Sequence, residues 1–288
     1  MKDNELCWCG SGKPYEECHK EFDIKIESKK LEGYMVPPRR FIKNEKQIEG
    51  IRQAAVFNNG LLDTIESNIK AGMTTEDIEQ ICIKYLDAHN CKSADFNYEG
   101  YPKHICTSLN DVVCHGIPSE RVVLKDGDII NVDSTLSYND YYADASRMFE
   151  IGKVSEKAHK LVYVTKECLI KGMEAIKPWE STLNDIGIAI EKYAHKRGFS
   201  VVEEYCGHGV GLKMHEDPYV LHYSIKKPTY LLVPGMVITI EPMINEGLKY
   251  ITLDRKDNWT VRTMDGKLSA QWEHTLLVTE TGVEIISK

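Results

Sequence analysis

The apolar positions of this chain follow two periods. Ile48, Ile51, Ala55, Leu62, Ile65 and Ile69 recur at helical spacing, which predicts a long helix from about Asn44 with one apolar face. Asn131 to Ser137 and Tyr141 to Ile151 alternate with the period of two that marks strands, joined by a tight turn at Tyr138-Asn139-Asp140. Gly127 to Asp133 and Gly235 to Glu241 are strand-like runs as well. Two further helices announce themselves by their caps. Thr74-x-x-Asp77 and Thr182-x-x-Asp185 each set a hydroxyl three residues before an acid.

These signals repeat. The second cap follows the first by 108 residues, and Ile78 with Ile186, Tyr85 with Tyr193, and the two strand-like runs keep that offset. Two helix–helix–strand–strand halves related by a pseudo-twofold predict an α+β domain with one shared sheet over residues 44–288. The N-terminus is different in kind. Residues 1–22 gather Cys7, Cys9, Cys18 and His19 around glycine and proline turns. Residues 23–43 show no clean period, contain Pro37-Pro38-Arg39-Arg40 and are net basic, so they read as a partly extended linker.

Composition narrows the class. A formal net charge of −8 argues against a protein that coats polyanions with its whole surface, although local basic patches are allowed. No apolar run reaches the ~18 residues of a membrane helix, and no charged-then-apolar leader opens the chain. Nine cysteines without an export signal point to metal or buried thiols rather than disulfides, with the cytosol as the expected address.

The repeat equates Asp133 with Glu241, one acid at the same point of each half. With the turn centred between Tyr138 and Asn139, Asp133 and Asp144 face each other directly, and a slip by two leaves them diagonal on one face. Such carboxylates repel, so one is protonated unless a cation sits between them, and a divalent metal is the simplest resolution. Other candidates follow along the chain: His115 before a turn, His208 among Gly207, Gly209 and Gly211, His215 before Glu216-Asp217-Pro218, and Glu273 with His274 on opposite faces of a strand.

Taken in order, Val113-Cys114-His115-Gly116-Ile117-Pro118, Asn131-Val132-Asp133, Ala143-Asp144-Ala145-Ser146, Cys206-Gly207-His208-Gly209, His215-Glu216-Asp217-Pro218, Ile240-Glu241-Pro242-Met243 and Ala270-Gln271-Trp272-Glu273-His274-Thr275 closely resemble the type I methionine aminopeptidases. That resemblance covers nearly all of 44–288 and implies the pita-bread fold. It implies two divalent ions (Co, Mn, Fe or Zn) bound by Asp133, Asp144, His208, Glu241 and Glu273, with Asp144 and Glu273 bridging. It further implies His215 as the partner of the developing oxyanion, His115 near the leaving nitrogen and Glu241 as proton carrier. A methionine pocket would be lined by Tyr98, Tyr101, Cys106, His115 and Trp259, with Met214 standing where some members carry an aromatic residue. The implied activity is removal of the initiator methionine from nascent polypeptides when the second residue is small, by a monomeric cytosolic enzyme.

Two rivals share the fold. A proline-directed aminopeptidase or prolidase keeps the five ligands, but Cys114 to Pro118 and the short catalytic domain favour the methionine enzyme. A non-catalytic pita-bread protein that binds RNA or a chromatin partner loses ligands, and none is substituted here. The N-terminal Cys7, Cys9, Cys18 and His19 resemble the short zinc-binding SEC-C motif of the protein-export ATPase, implying one structural zinc. With Lys25, Lys29, Lys30, Arg39 and Arg40 on a flexible linker, that module is expected to recruit the enzyme to the ribosome. Cys82, Cys91, Cys114, Cys168 and Cys206 are expected to be core thiols.

Overall fold

The computed structural model describes residues 1–288. Its centre is a nine-stranded antiparallel sheet. The longest strands, Ile129–Tyr138 and Tyr141–Glu150, form a hairpin in the first half, and Glu273–Val278 joins the second strand of that hairpin to Val237–Ile240 of the second half. Gly207–Gly209 and Glu216–Val220 continue the sheet beyond Val237–Ile240. No helix is long and apolar enough to cross a membrane.

Strand alternation decides which face carries what. Ile130, Val132 and Leu136 turn toward α2 (Glu45–Glu66) and α3 (Thr75–His89), where Ile51, Leu62, Ile65 and Ile78 bury their side chains. The residues between them, Asn131, Asp133 and Thr135, therefore look the other way. The second half repeats the arrangement with α4 (Glu156–Glu174) and α5 (Leu183–Lys196), whose Leu161, Leu169, Ile186 and Ile190 pack with Ile238, Ile240 and Leu276. Thr74 with Asp77 and Thr182 with Asp185 both close reciprocal capping boxes. The bridges Thr74–Val123 and Thr182–Leu231 preserve the same 108-residue offset.

The hairpin register differs from the directly opposed pair. Tyr138 pairs with Tyr141, so the turn consists of Asn139 and Asp140, both left-handed with φ of 50° and 63°. A two-residue turn of that kind matches strand twist and suits Asn and Asp, and it moves the centre one position along. Asp144 consequently faces Thr135, and Asp133 faces Ser146. The two acids are diagonal on one face.

Residues 23–43 are not an extended tether. Lys20–Leu31 is a helix, α1, with Phe22 and Ile26 packed against the core of the second half. Phe22 meets Trp179 edge-on at 5.2 Å, and Lys25 lies 4.2 Å above the same ring. Asp23 takes hydrogen bonds from Trp8 Nε1, the Tyr15 hydroxyl and Arg39. The basic residues are engaged within the chain: Lys29 with Glu32, Lys30 with Glu27, Arg39 with Asp23 and Arg40 with Asp217. Helix α1 escapes the periodicity because Ile24 and Leu31 are exposed, leaving only one i, i+4 pair to face inward.

Phe22→Ala should loosen this docking. Losing a partly buried ring costs roughly 1–2 kcal/mol, and at about 2–4 °C per kcal/mol the melting midpoint should drop by a few degrees. Limited proteolysis within residues 32–44 should accelerate in parallel; an unchanged cleavage rate and midpoint would mean the module is not held by this contact.

Candidate active site

Sheet register gathers the acids. Asp133 faces Ser146, Ser146 faces Glu273 on its other side, and Cys106 faces Asp133, so these four form one rung across four strands. Residues paired across a sheet share a face, as do residues two apart along a strand. Asp144 lies two residues before Ser146. Glu241 follows the last residue of Val237–Ile240, and the pairing of Ile240 with His274 on the neighbouring rung brings Glu241 level with Glu273. His208 stands on Gly207–Gly209 and donates its backbone N–H to the Thr239 hydroxyl at 3.0 Å. All five donors thus lie on the face away from α2 and α3.

Distances confirm the convergence. His208 Nε2 is 3.7 Å from Asp144 Oδ2 and 3.5 Å from Glu241 Oε1. Donor atoms of Asp144, His208 and Glu273 lie within 4.8 Å of one another. Asp133 shares the rung with Glu273, and Glu241 lies beside His208, so both flank that group. The glycines beside His208 allow this closeness. A Cβ at Gly207 would sit 2.4 Å from the Thr239 carbonyl oxygen, and one at Gly209 would sit 2.3 Å from that of Asp217.

Four carboxyls in one dry cleft resist ionisation together. Burial, then mutual repulsion, pushes Asp144, Glu241 and Glu273 well above the usual carboxylate range. Asp133 is pushed up to about 7 by desolvation. His208 is the base in contact with the cluster, and burial lowers it to about 3, so it stays neutral. A carboxylate set with one neutral imidazole fits divalent first-row cations and lacks only their charge.

Two ring chains frame the cleft. On one side His208, His215 and Tyr98 follow each other at 4.4 and 5.1 Å, and His215 Nδ1 is 2.9 Å from the Tyr98 hydroxyl. On the other, Tyr101, Trp259, His115 and Tyr205 follow at 5.2, 5.9 and 5.2 Å. The Tyr101 hydroxyl donates to the carbonyls of Ile105 and Gly116, which pins this wall. His115 adopts a left-handed φ of 55°, a strained backbone of the kind stored at functional sites. Burial and the charge of His215 lower His115 to about 4. Met214 is half-buried in the loop that ends in His215, and Cys106 is buried on the rung with Asp133.

Several supporting residues carry no motif of their own. The Thr239 hydroxyl donates to Glu241 Oε1 at 2.8 Å and Gln271 Nε2 to Glu241 Oε2 at 3.3 Å. Both lie two residues from a candidate ligand, so strand alternation alone would have flagged them. His222 accepts the Glu241 backbone N–H on Nε2, and Asp95 accepts that of Thr135. These two arrive from distant loops, and nothing local marks them. At the N-terminus, Cys7 and Cys18 Sγ lie 3.2 and 3.1 Å from His19 Nδ1, and Cys9 lies 3.6 Å from Cys18, close to the edges of a small tetrahedral site. Cys82, Cys91, Cys114 and Cys168 are buried, while Cys206 is half-buried.

Comparison with known proteins places the chain. Residues 49–280 match metallopeptidase family M24, and residues 4–21 match the SEC-C motif. A methionine aminopeptidase of Salmonella typhimurium is 47% identical over 247 residues, covering 85% of this chain and 93% of the relative. One from Chlamydia pneumoniae is 41% identical over 290 residues, covering 100% of this chain and 99% of the relative. The crystal structure of methionine aminopeptidase from Rickettsia prowazekii superposes with a TM-score of 0.83 at 42% identity, over 86% of this chain and 99% of that one. That superposition gives the pita-bread architecture. Identity at this level along nearly the whole of each relative leads to one assignment: the chain belongs to metallopeptidase family M24 and, within it, to the methionine aminopeptidases.

Proposed function

We propose that this protein hydrolyses the first peptide bond of nascent polypeptides that begin with methionine and continue with a small residue. The reading includes two divalent cations (Co, Mn, Fe or Zn) held by Asp133, Asp144, His208, Glu241 and Glu273, and one zinc held by Cys7, Cys9, Cys18 and His19. The observation that carries it is the meeting of Asp144, His208 and Glu273, from both halves, on one sheet face between two rows of aromatic rings. The six cysteines outside the zinc set are buried or half-buried free thiols, which supports a reducing, cytosolic setting.

When bound, the two cations supply a Lewis acid for the scissile carbonyl and lower the pKa of the attacking water. The side chains supply the rest. A thioether packs well on ring edges, so Tyr98, Tyr101, Trp259 and His115, with Cys106 behind, form a suitable wall for the methionine side chain. The His215 tautomer that this role requires has Nδ1 accepting from the Tyr98 hydroxyl, 2.9 Å away, and Nε2–H donating to the oxygen as it becomes negative. Neutral His115 stands where the leaving nitrogen departs. Glu241, steadied by Thr239 and Gln271, receives the proton of the water and passes it to the amine. The docked N-terminal module braces the second half instead of swinging on a tether. Ribosome association would use its outward face.

Asp144→Asn should lower kcat/KM for Met-Ala-Ser by at least about 10²-fold and reduce bound Mn per chain, because a neutral amide replaces a shared anionic ligand. Full activity at saturating Mn, with metal content intact, would show that Asp144 is not a ligand.

His215→Ala should lower kcat by roughly 10²–10³ with normal metal content. Tyr98→Phe keeps the imidazole and loses one hydrogen bond worth about 0.5–1.5 kcal/mol, so a fall of about 3–10-fold is expected. A rise in KM alone in either variant would assign the pair to ground-state binding.

Metal and pH should be coupled. Asp133 binds its proton more tightly folded than unfolded, so its contribution to stability is present below 3.8 and is lost as pH rises through about 7. The other three acids act in the same direction. Ligands must shed these protons to bind a cation. Added Mn should therefore raise the melting midpoint of stripped protein clearly more at pH 7.5 than at pH 5. Equal gains at both would separate the carboxyls from metal binding.

A further inference from the structure

The loop that carries His215 is thinly held. Leu212, Lys213, His215 and Asp217 are exposed, and Gly211 enters the loop with φ of 127°. What closes it is Glu216. Its Oε1 accepts the backbone N–H groups of Leu212 at 2.8 Å and Lys213 at 3.2 Å, and its Oε2 meets the ammonium of Lys43 at 2.6 Å. The Lys43 side chain is 2% exposed and that of Glu216 is 14% exposed, a pairing shielded from water and salt. Arg40 adds a second, exposed ion pair to Asp217 at 3.0 Å.

The base of this clamp is rigid. Lys43 donates its own N–H to the Gly235 carbonyl, and Ile42 bridges Met236, immediately before the strand Val237–Ile240 that leads into Glu241. Asn44, the next residue, caps α2 and donates to the Cys9 carbonyl of the N-terminal module at 2.5 Å. A buried ion pair is weak evidence for stability, since desolvation offsets attraction, but it holds geometry tightly. Without the ammonium, the Glu216 carboxylate would be a partly buried, uncompensated anion. Turning to water would relieve it and would release the two N–H groups that shape the loop.

We propose that Lys43 is a positioning residue: through Glu216 it holds the 212–216 loop so that the His215 imidazole stays on Tyr98 and aimed into the cleft. This rests on the reading of His215 as the oxyanion donor. Lys43 itself touches no reacting atom. Displacement of a catalytic group by about 1 Å can cost up to about 10²-fold, so a loosened loop should act on kcat and spare KM.

The test is a double-mutant cycle in the Mn-loaded full-length enzyme with Met-Ala-Ser, with rates expressed per folded molecule. Lys43→Met should lower kcat about 10-fold with KM within about twofold, and in the His215→Ala background it should cost less than about twofold more. Should Lys43→Met not fold, Glu216→Gln takes its place. It keeps the side-chain size, removes the charge pairing, and is expected to lose threefold or more in kcat by the same argument. A folded variant with wild-type kcat and only a lower melting midpoint overturns the proposal, as does a full 10-fold loss that persists without His215. Wild-type kcat in His215→Ala alone would instead remove the reading of His215, and the positioning role with it; that single variant is read first.

Discussion

Mutual repulsion among four carboxyls on one dry sheet face is the constraint around which this molecule is organised. Each acid alone could be solvated or paired, but Asp144, Glu241 and Glu273 are buried with no lysine or arginine against them. The fold supplies partial answers: the Thr239 hydroxyl and the Gln271 amide on Glu241, and a neutral imidazole at His208. None of these carries a positive charge. The remaining deficit is what selects a cation, and charge together with donor type makes it divalent.

Why the acids can be placed so closely follows from the two halves. Each half has its own helix pair, and a separate apolar cluster packs around each pair. The join runs between Tyr141–Glu150 and Glu273–Val278, and the donors sit on and beside that join. Asp133 and Asp144 come from the first half, His208 and Glu241 from the second, and Glu273 from the strand that links them. The capping boxes and the paired bridges set both halves in equivalent orientation, which explains why Asp133 and Glu241 occupy matching points.

Much of this could be read from residues alone because it rests on period and spacing. Alternation along 131–137 and 141–151 places Asp133 and Asp144 on one face whichever even register is adopted. The exact partner of each depended on turn chemistry: left-handed Asn139 and Asp140 shifted the pairing by two, a choice that hydrophobic pattern does not express. The family resemblance supplied the five-donor set that spacing alone could only begin. Helix α1 was not legible, since Phe22 and Ile26 make a stripe too short to stand out against exposed Ile24 and Leu31. Contacts such as Tyr98 with His215, or Lys43 with Glu216, join residues 117 and 173 positions apart, and no local signal reports them.

The raised proton affinity of the acid cluster has a consequence for the life of the newly made chain. A cluster that could exist only as four anions would hold the halves apart until metal arrived. Because burial and mutual repulsion make all four acids hold protons more tightly than free carboxylates, bound protons relieve that repulsion and the halves can meet without a cation. Metal capture then becomes an exchange, cations in and protons out, carried out on an already assembled scaffold. On such a scaffold, protons hold the place that cations take afterwards.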